Sequence, residues 1–366
     1  MTLGRTPAGP APPADRPEDA EVAGWIEEMR RHVAQAPDVY RPGAFWTDLL
    51  ERNLAMLRAD GIRRFKRTVA NNYYNWLVTS WLDPQLRNAA LGWVRHPSAA
   101  PLRARMEPAH AVRTMARGDA FDLSPAAARR YRLFVAQTWE RARRDDRLGL
   151  TERMEEPEIG TPVRLWSRGR LVSQDLANSI IECNYTAGSG LVRDGARIAE
   201  LGAGYGRLAH VHLAAADVVY CIFDIPPALA VSQWYLREVL GRDRVVPFDA
   251  TRTTNDVTAL EPGQVAIFTP DQLELFPDGW FDVTQTISTL PEMPERQAAH
   301  FLAMLAAKSS GEVFLKQWRR WRNEADGAEL AEDWYALAPP WELVARRIDP
   351  VQPLFFNQRW RRRRGP

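Results

Sequence analysis

The stretch ARIAELGAGYGRLAHV, residues 196–211, constrains the fold more than any other. It reads as a short β run ending at Glu200 and Leu201, a turn holding Gly202, Gly204 and Gly206, and a helical pattern that resumes at Arg207. A strand that passes through glycines straight into a helix opens a βα unit, and the next parallel strand is then reached by a right-handed crossover. The first glycine permits the tight turn, the second removes a Cβ where a ligand can lie on the backbone, and the third lets helix pack against strand.

From about residue 190 onward the same alternation continues. VVYCIFD, VAIFTP, FDVTQTI and GEVFLKQW are β-rich runs, separated by the helical patterns ALAVSQWYLREVLG and ERQAAHFLAMLAAK, which predicts a mainly parallel sheet. ELVARRI and LFFNQRW follow each other through Asp349 and Pro350 with no helix between, so a terminal hairpin and one antiparallel strand are expected. Residues 21–189 carry mostly helical periodicity. In AFWTDLLERNLAMLRADGIRRF the apolar positions Phe45, Leu49, Leu50, Leu54, Leu57 and Ile62 recur at helical spacing, with Gly61 as a stop. Residues 1–20, rich in Pro, Ala, Gly and acid, have almost nothing to bury and are expected to form a disordered tail. The reading is therefore an α/β chain, with a mostly parallel sheet and C-terminal antiparallel hairpin over 190–366, preceded by a helical region over 21–189 that supplies the acceptor site or a lid.

The length of 366 residues suits such a two-part organisation. Lys and Arg number 48 against 46 Asp and Glu, a net charge of +2, too small to point to nucleic acid or an anionic membrane. No window approaches a membrane span, and Cys183 and Cys221 have no partners at metal-ligand or disulfide-framework spacing, so a cytoplasmic setting is expected. Arg359 and the run Arg361 to Arg364 read as a solvated charged end. Oligomeric state stays open, a homodimer being one option.

The ligand of the glycine turn can be narrowed. The spacing is G-x-G-x-G rather than the dinucleotide G-x-G-x-x-G, and no Walker G-K-[ST] is present. Glu200, directly before the turn, would repel a pyrophosphate but suits a cationic, amino-bearing ligand such as S-adenosylmethionine. Asp224 ends the second strand 18 positions after Gly206, where a carboxylate can accept both ribose hydroxyls at the carboxyl edge of an open sheet.

These residues resemble the class I S-adenosylmethionine-dependent methyltransferases. More narrowly, FKRTVANNYYNWLV (65–78), GRLVSQDLANSIIE (169–182), the glycine turn, YCIFDIPPALAVSQWYL (220–236), FTPDQLELFPDGWFDV (268–283) and TLPEM (289–293) resemble a sugar O-methyltransferase family. The resemblance implies a Rossmann-like methyltransferase sheet and a methyl donor held by Glu200, Gly202, Ala203, Gly204, Gly206, Asp224 and Ile225. It also implies that Asp271 and Gln272, after the third strand, lie near the adenine. The acceptor would be a hydroxyl of a sugar or of a glycosylated natural product. Alternatives are an aminosugar amine, a non-sugar hydroxyl, or a methyltransferase-like scaffold that binds without catalysing.

An aliphatic hydroxyl needs a general base or a metal to take its proton. Glu292, a few residues past the fourth strand, is the candidate base, with a helix N-terminal charge as the alternative. His300 is a second candidate, and its helical spacing with Phe301, Met304 and Leu305 also fits a packing histidine. Asn72, Tyr73 and Trp76 offer amides and rings to an acceptor, as does Trp318, with Trp321 beside it. Asp175 and Glu182, on an amphipathic helix before the first strand of the sheet, are further candidates for donor or acceptor contacts. No residues show clear metal-ligand spacing, which leaves a metal undecided.

Overall fold

The computed structural model describes residues 16–66, 78, 80–95, 104–106 and 125–363. The amino-terminal part contains helices α1 (Pro17–Gln35), α2 (Ala44–Asp60), α3 (Pro84–Arg95), α4 (Pro125–Asp145), α5 (Leu150–Arg153) and α6 (Gln174–Ala187). Among them lies a small antiparallel sheet that periodicity did not predict, made of β1 (Ala104–Met106), β2 (Leu165–Ser167) and β3 (Arg170–Val172). Three-residue strands are too short to display an alternation, so they leave little trace in a sequence. Gly61 does end α2, in the left-handed region at φ 77°.

Two expectations about the ends are corrected. Helix α1 begins at Pro17, inside the segment read as a tail. It is tied down because the Asp19 carboxylate accepts the Ile62 N–H at 2.6 Å. The arginine-rich end is not simply solvated either: Arg359 donates to the Tyr185 carbonyl at 2.9 Å, and Arg361 pairs with the buried Glu312 at 2.6 Å. Strand alternation turns Arg359 inward, where those partners offset its desolvation.

After α6 the expected strands and helices appear, with the short β6 and α9 in addition: β4 (Arg197–Leu201), α7 (Arg207–Ala215), β5 (Val219–Phe223), α8 (Ala228–Leu240), β6 (Val245–Val246), α9 (Thr254–Thr258), β7 (Val265–Phe268), β8 (Phe281–Ile287), α10 (Glu295–Lys308) and β9 (Ser309–Trp318). A hairpin of β10 (Arg320–Asn323) and β11 (Ala328–Ala331) comes next, then β12 (Trp341–Ile348) and β13 (Phe355–Arg362). The eight-stranded sheet has the order β12-β13-β9-β8-β4-β5-β7-β6. Strands β6, β7, β5, β4, β8 and β9 are mutually parallel, and β13 runs antiparallel between β9 and β12. This is a Rossmann-like sheet with the expected terminal hairpin.

Strand periodicity explains the two faces. In β5, Tyr220 and Ile222 join a core with α1, α2 and α8, whereas Cys221 and Phe223 join the core beneath α10. Val265 and Ile267 in β7 face the first core, and Ala266 and Phe268 the second. A third core packs α4 and α6 against α7. Parallel strands covered on both faces have to be apolar throughout, which is why these runs read so plainly in the sequence. Strand order reverses at β4, since later strands go first to one side of it and then to the other, and an open sheet leaves a crevice at the carboxyl edge of such a strand. The glycine turn sits at that edge.

Candidate functional site

Gly202, Gly204 and Gly206 all adopt positive φ, at 76°, 61° and 82°. At Gly202 a Cβ would lie 2.0 Å from Thr289 Oγ1, in the loop after β8, and at Gly206 it would lie 2.7 Å from Leu236 Cδ1 of α8. At Gly206 the missing Cβ makes room for helix α8, not for a strand as expected of the third glycine, and Gly202 lets the β4 and β8 loops touch. Gly202→Ala is expected to cost at least about 2 kcal/mol of stability in denaturant unfolding, because it adds left-handed strain to a collision with a β-branched residue. Wild-type stability in that variant would show that the Thr289 loop is free to retreat.

A cleft opens over this turn. Glu200, Gly202, Ala203, Gly204, Asp224 and Ile225 line it and Gly206 does not, so β4, the first part of the glycine turn and the end of β5 face one space. The Asp224 carboxylate accepts the Gly204 N–H and its neighbour Ile225 N–H, each at 2.7 Å. Burial outweighs these two bonds and pushes its carboxyl up to about 7. Glu200 accepts the Tyr220 hydroxyl at 2.6 Å, and that hydroxyl in turn accepts from Gln285 at 2.6 Å. Desolvation raises Glu200 to about 7 as well.

Glu292 also lines the cleft. It ends a short 3-10 turn, Leu290–Glu292, and α10 begins only at Glu295, so it lies outside that helix. Its carboxyl is raised well above the usual range, first by desolvation and then by the charge of Asp224. These three acids therefore share one space with Asp175, which burial raises to about 6, and all four are held toward the neutral form. A cationic ligand would relieve that cost, and an anionic one would increase it.

The other expected residues divide. Trp318 lines the cleft with Trp321 and Phe355, its ring centroid 4.7 Å and 4.5 Å from theirs. His300 is not among the lining residues. Its Nε2 lies 2.9 Å from the Tyr40 hydroxyl and its ring packs edge-on to Tyr40, the packing alternative weighed for it. Gln272 spends its amide on the Thr269 N–H and the Asp249 carbonyl. Asp271 pairs with His32 of α1 at 2.8 Å and keeps one buried oxygen without a hydrogen bond. Neither lines the cleft, although Pro270 beside them does. Asn72, Tyr73 and Trp76 lie outside the described residues. His212 is buried and His210 half-buried, and desolvation lowers them to about 3 and about 4, which favours the neutral form of both.

Asp175 lines the cleft but Glu182 does not. Glu182 is buried in an ionic cluster, 2.8 Å from Arg207 and 2.8 Å from Lys316, which also pairs with Asp349 at 3.2 Å. Asp349 accepts the Gln352 N–H in the β12–β13 turn, and Gln352 lines the cleft. This cluster joins α6, α7, β9 and that turn around the site.

Sequence reasoning missed the part of the wall built by α2. Gly43, Phe45, Trp46 and Leu49 line the cleft. Gly43 is the N-cap and has no side chain to cap the helix, so Asp326, in the β10–β11 turn, accepts the N–H groups of Ala44 at 2.7 Å and Phe45 at 3.1 Å. A cap supplied from more than 280 residues away leaves no local signature. Among the described residues, no helix is long and apolar enough to cross a membrane, and no three His, Cys, Asp or Glu side chains are placed to hold a metal ion.

No family model matches the chain, and no curated protein matches it. Solved structures similar to it include magnesium protoporphyrin IX methyltransferase from Synechocystis PCC 6803 with bound SAM, at 14% identity and TM-score 0.34 over 51% of this chain and 79% of that one. A 1,6-didemethyltoxoflavin-N1-methyltransferase from Burkholderia thailandensis shares 14% identity at TM-score 0.35, over 52% and 78%. A SAM-dependent methyltransferase from Aquifex aeolicus shares 13% at TM-score 0.33, over 48% and 87%.

Proposed function

We propose that this chain is an S-adenosylmethionine-dependent O-methyltransferase acting on a hydroxyl of a sugar or glycosylated natural product. One observation carries the donor assignment: the glycine turn and three neutral-leaning acids, Glu200, Asp224 and Glu292, face a single cleft at the carboxyl edge of the sheet. Gly204 lines the cleft without a side chain, Asp224 stands where ribose hydroxyls would be accepted, and the acids favour a sulfonium. The bound donor supplies an already activated methyl group.

What remains for the protein is alignment and proton removal. The rings of Trp318, Trp321 and Phe355 form an apolar wall against which the C–H face of a sugar can rest. Glu292, in the carboxylate form favoured by a nearby cation, accepts the acceptor's hydroxyl proton.

The electrostatic part has a direct test. Binding a cation beside raised carboxyls drives them to ionise, so binding releases protons and strengthens as pH rises. The association constant for S-adenosylmethionine is expected to rise by up to about tenfold per pH unit between about pH 6 and 8, the slope for one released proton. S-adenosylhomocysteine, whose thioether is neutral, should show a shallower slope. Calorimetry in two buffers of different ionisation enthalpy counts the protons. Identical slopes for both ligands would remove the electrostatic basis, and no binding of either would end the donor reading.

A further inference from the structure

We propose that Trp321 is the specificity-determining residue of the acceptor site, its indole N–H donating a hydrogen bond to an oxygen of the acceptor other than the one that is methylated. The substrate class is then an alcohol that carries a second oxygen near the reacting hydroxyl, the pattern of a sugar ring. The assignment rests on the acceptor reading above and deepens it.

Trp321 lines the cleft, yet its Nε1 is buried with no hydrogen-bond partner. A buried indole N–H usually finds a partner, and leaving it bare is costly. The ring is held by stacking: its centroid lies 4.7 Å from that of Trp318 at an interplanar angle of 35°, and Trp318 packs in turn on Phe355. An unpaired donor held in a cleft wall points to an acceptor atom that arrives with a ligand. Indole donates only, so what it recognises must carry a lone pair, as a hydroxyl or ring oxygen does and an ammonium does not.

The hairpin keeps that N–H in place. Strands β10 and β11 form a two-stranded sheet outside the eight-stranded one, and alternation turns Trp321 and Asn323 to one face while Arg320 and Arg322 are exposed. Asn323, 1% exposed, donates to Asp326 at 2.9 Å. Asp326 caps α2, whose Phe45 and Trp46 also line the cleft. One short hairpin therefore joins two parts of the wall.

Strand β10 also packs against the Leu290–Glu292 turn, which carries the candidate base. Trp321 and Glu292 thus stand on touching elements and line the same cleft, one as a hydrogen-bond donor and the other as a proton acceptor. A substrate with two oxygens answers both. One hydroxyl oxygen takes the methyl group from the sulfonium, which leaves as a thioether, and its proton passes to Glu292; the other oxygen accepts the indole N–H. That second bond selects which hydroxyl meets the donor, because a substrate turned the other way leaves Trp321 unpaired.

The test is a cycle between one substitution in the protein and one in the ligand, run on the full chain saturated with S-adenosylhomocysteine. The probes are the methyl glycosides of glucose, galactose, mannose and rhamnose, titrated by NMR, followed by the monodeoxy analogues of the tightest. One analogue is expected to bind the wild type about tenfold more weakly than its parent, and Trp321→Phe should bring that ratio to within about twofold. Taking the ratio cancels the ring area lost in Trp321→Phe and leaves the N–H bond. S-adenosylhomocysteine affinity within about twofold of wild type reports that the variant is folded. In the wild type itself, one indole N–H resonance should move downfield with the parent glycoside and stay with that analogue, a readout that needs no variant. Ratios that all survive in Trp321→Phe, or an indole spectrum that does not tell parent from analogue, overturn the assignment. If S-adenosylhomocysteine binds and no glycoside does, the sugar reading fails and the assignment falls with it; if S-adenosylhomocysteine does not bind either, the donor reading fails first.

Discussion

Glu292→Gln is expected to lower the turnover of an aliphatic hydroxyl acceptor by about 10²- to 10³-fold, the range for losing a general base. Affinity for S-adenosylhomocysteine, whose thioether is neutral, should stay within about twofold because the substitution keeps the shape, whereas the cationic donor should bind more weakly through the loss of one negative charge. Glu292 lines the cleft, stands outside α10, and has a carboxyl raised by burial and by Asp224. A raised base is protonated at low pH, so the wild-type rate should climb with pH on a limb that Glu292→Gln lacks. Steady-state rates with saturating donor, measured against pH, read both effects. An acceptor amine needs no strong base, so activity that survives in Glu292→Gln would transfer the reaction from oxygen to nitrogen.

Asp224→Ala should weaken S-adenosylhomocysteine by about 100-fold in calorimetry, since it removes two charge-assisted bonds to the ribose hydroxyls worth about 3 kcal/mol together. Unchanged affinity would take Asp224 out of the site. The ligand-free protein supplies an independent readout with a definite sign. The folded-state carboxyl stands at about 7, above the value of about 3.9 for an unfolded aspartate, so the native state holds its proton more tightly. That contribution to stability is fully present below about pH 4 and is lost as pH rises through about 7. Asp224→Asn, which cannot ionise, should therefore flatten the fall in Tm of the ligand-free protein over that window. Both results have one cause: a carboxylate kept in a costly environment without ligand and relieved when a cationic nucleoside arrives.

How much of this was legible in the sequence depends on the distance over which each feature acts. The β4–turn–α7 unit, Asp224 at the end of β5, the parallel strands and the stop of α2 at Gly61 follow from rules that operate within a few residues. So does the packing alternative for His300, written in the spacing of its own helix. Arg207 was visible only as the residue that breaks a dinucleotide pattern, whereas in the fold it is the guanidinium that holds Glu182. Phe45 and Leu49 showed apolar spacing and nothing of the cleft they line. The Asp326 cap, the tie from Asp19 to Ile62 and the inward turn of Arg359 each join residues with no mark of the partner in their surroundings.

By itself, then, the amino-acid order determined the class of sheet and put the glycine turn and Asp224 at its carboxyl edge, where we propose the donor binds. Backbone conformation and strand periodicity are local, and the carboxyl edge of the first strand follows from them by topology. Only the tertiary structure decided that Glu182 is sealed among cations while Asp175, without an ion pair among the described residues, lines the cleft, and that two amides on the same helix keep bare oxygens there. Burial and charge balance are sums over everything packed around a group. Seven positions separate Asp175 from Glu182 along one helix, and their environments are set by α7, β9 and the glycine turn.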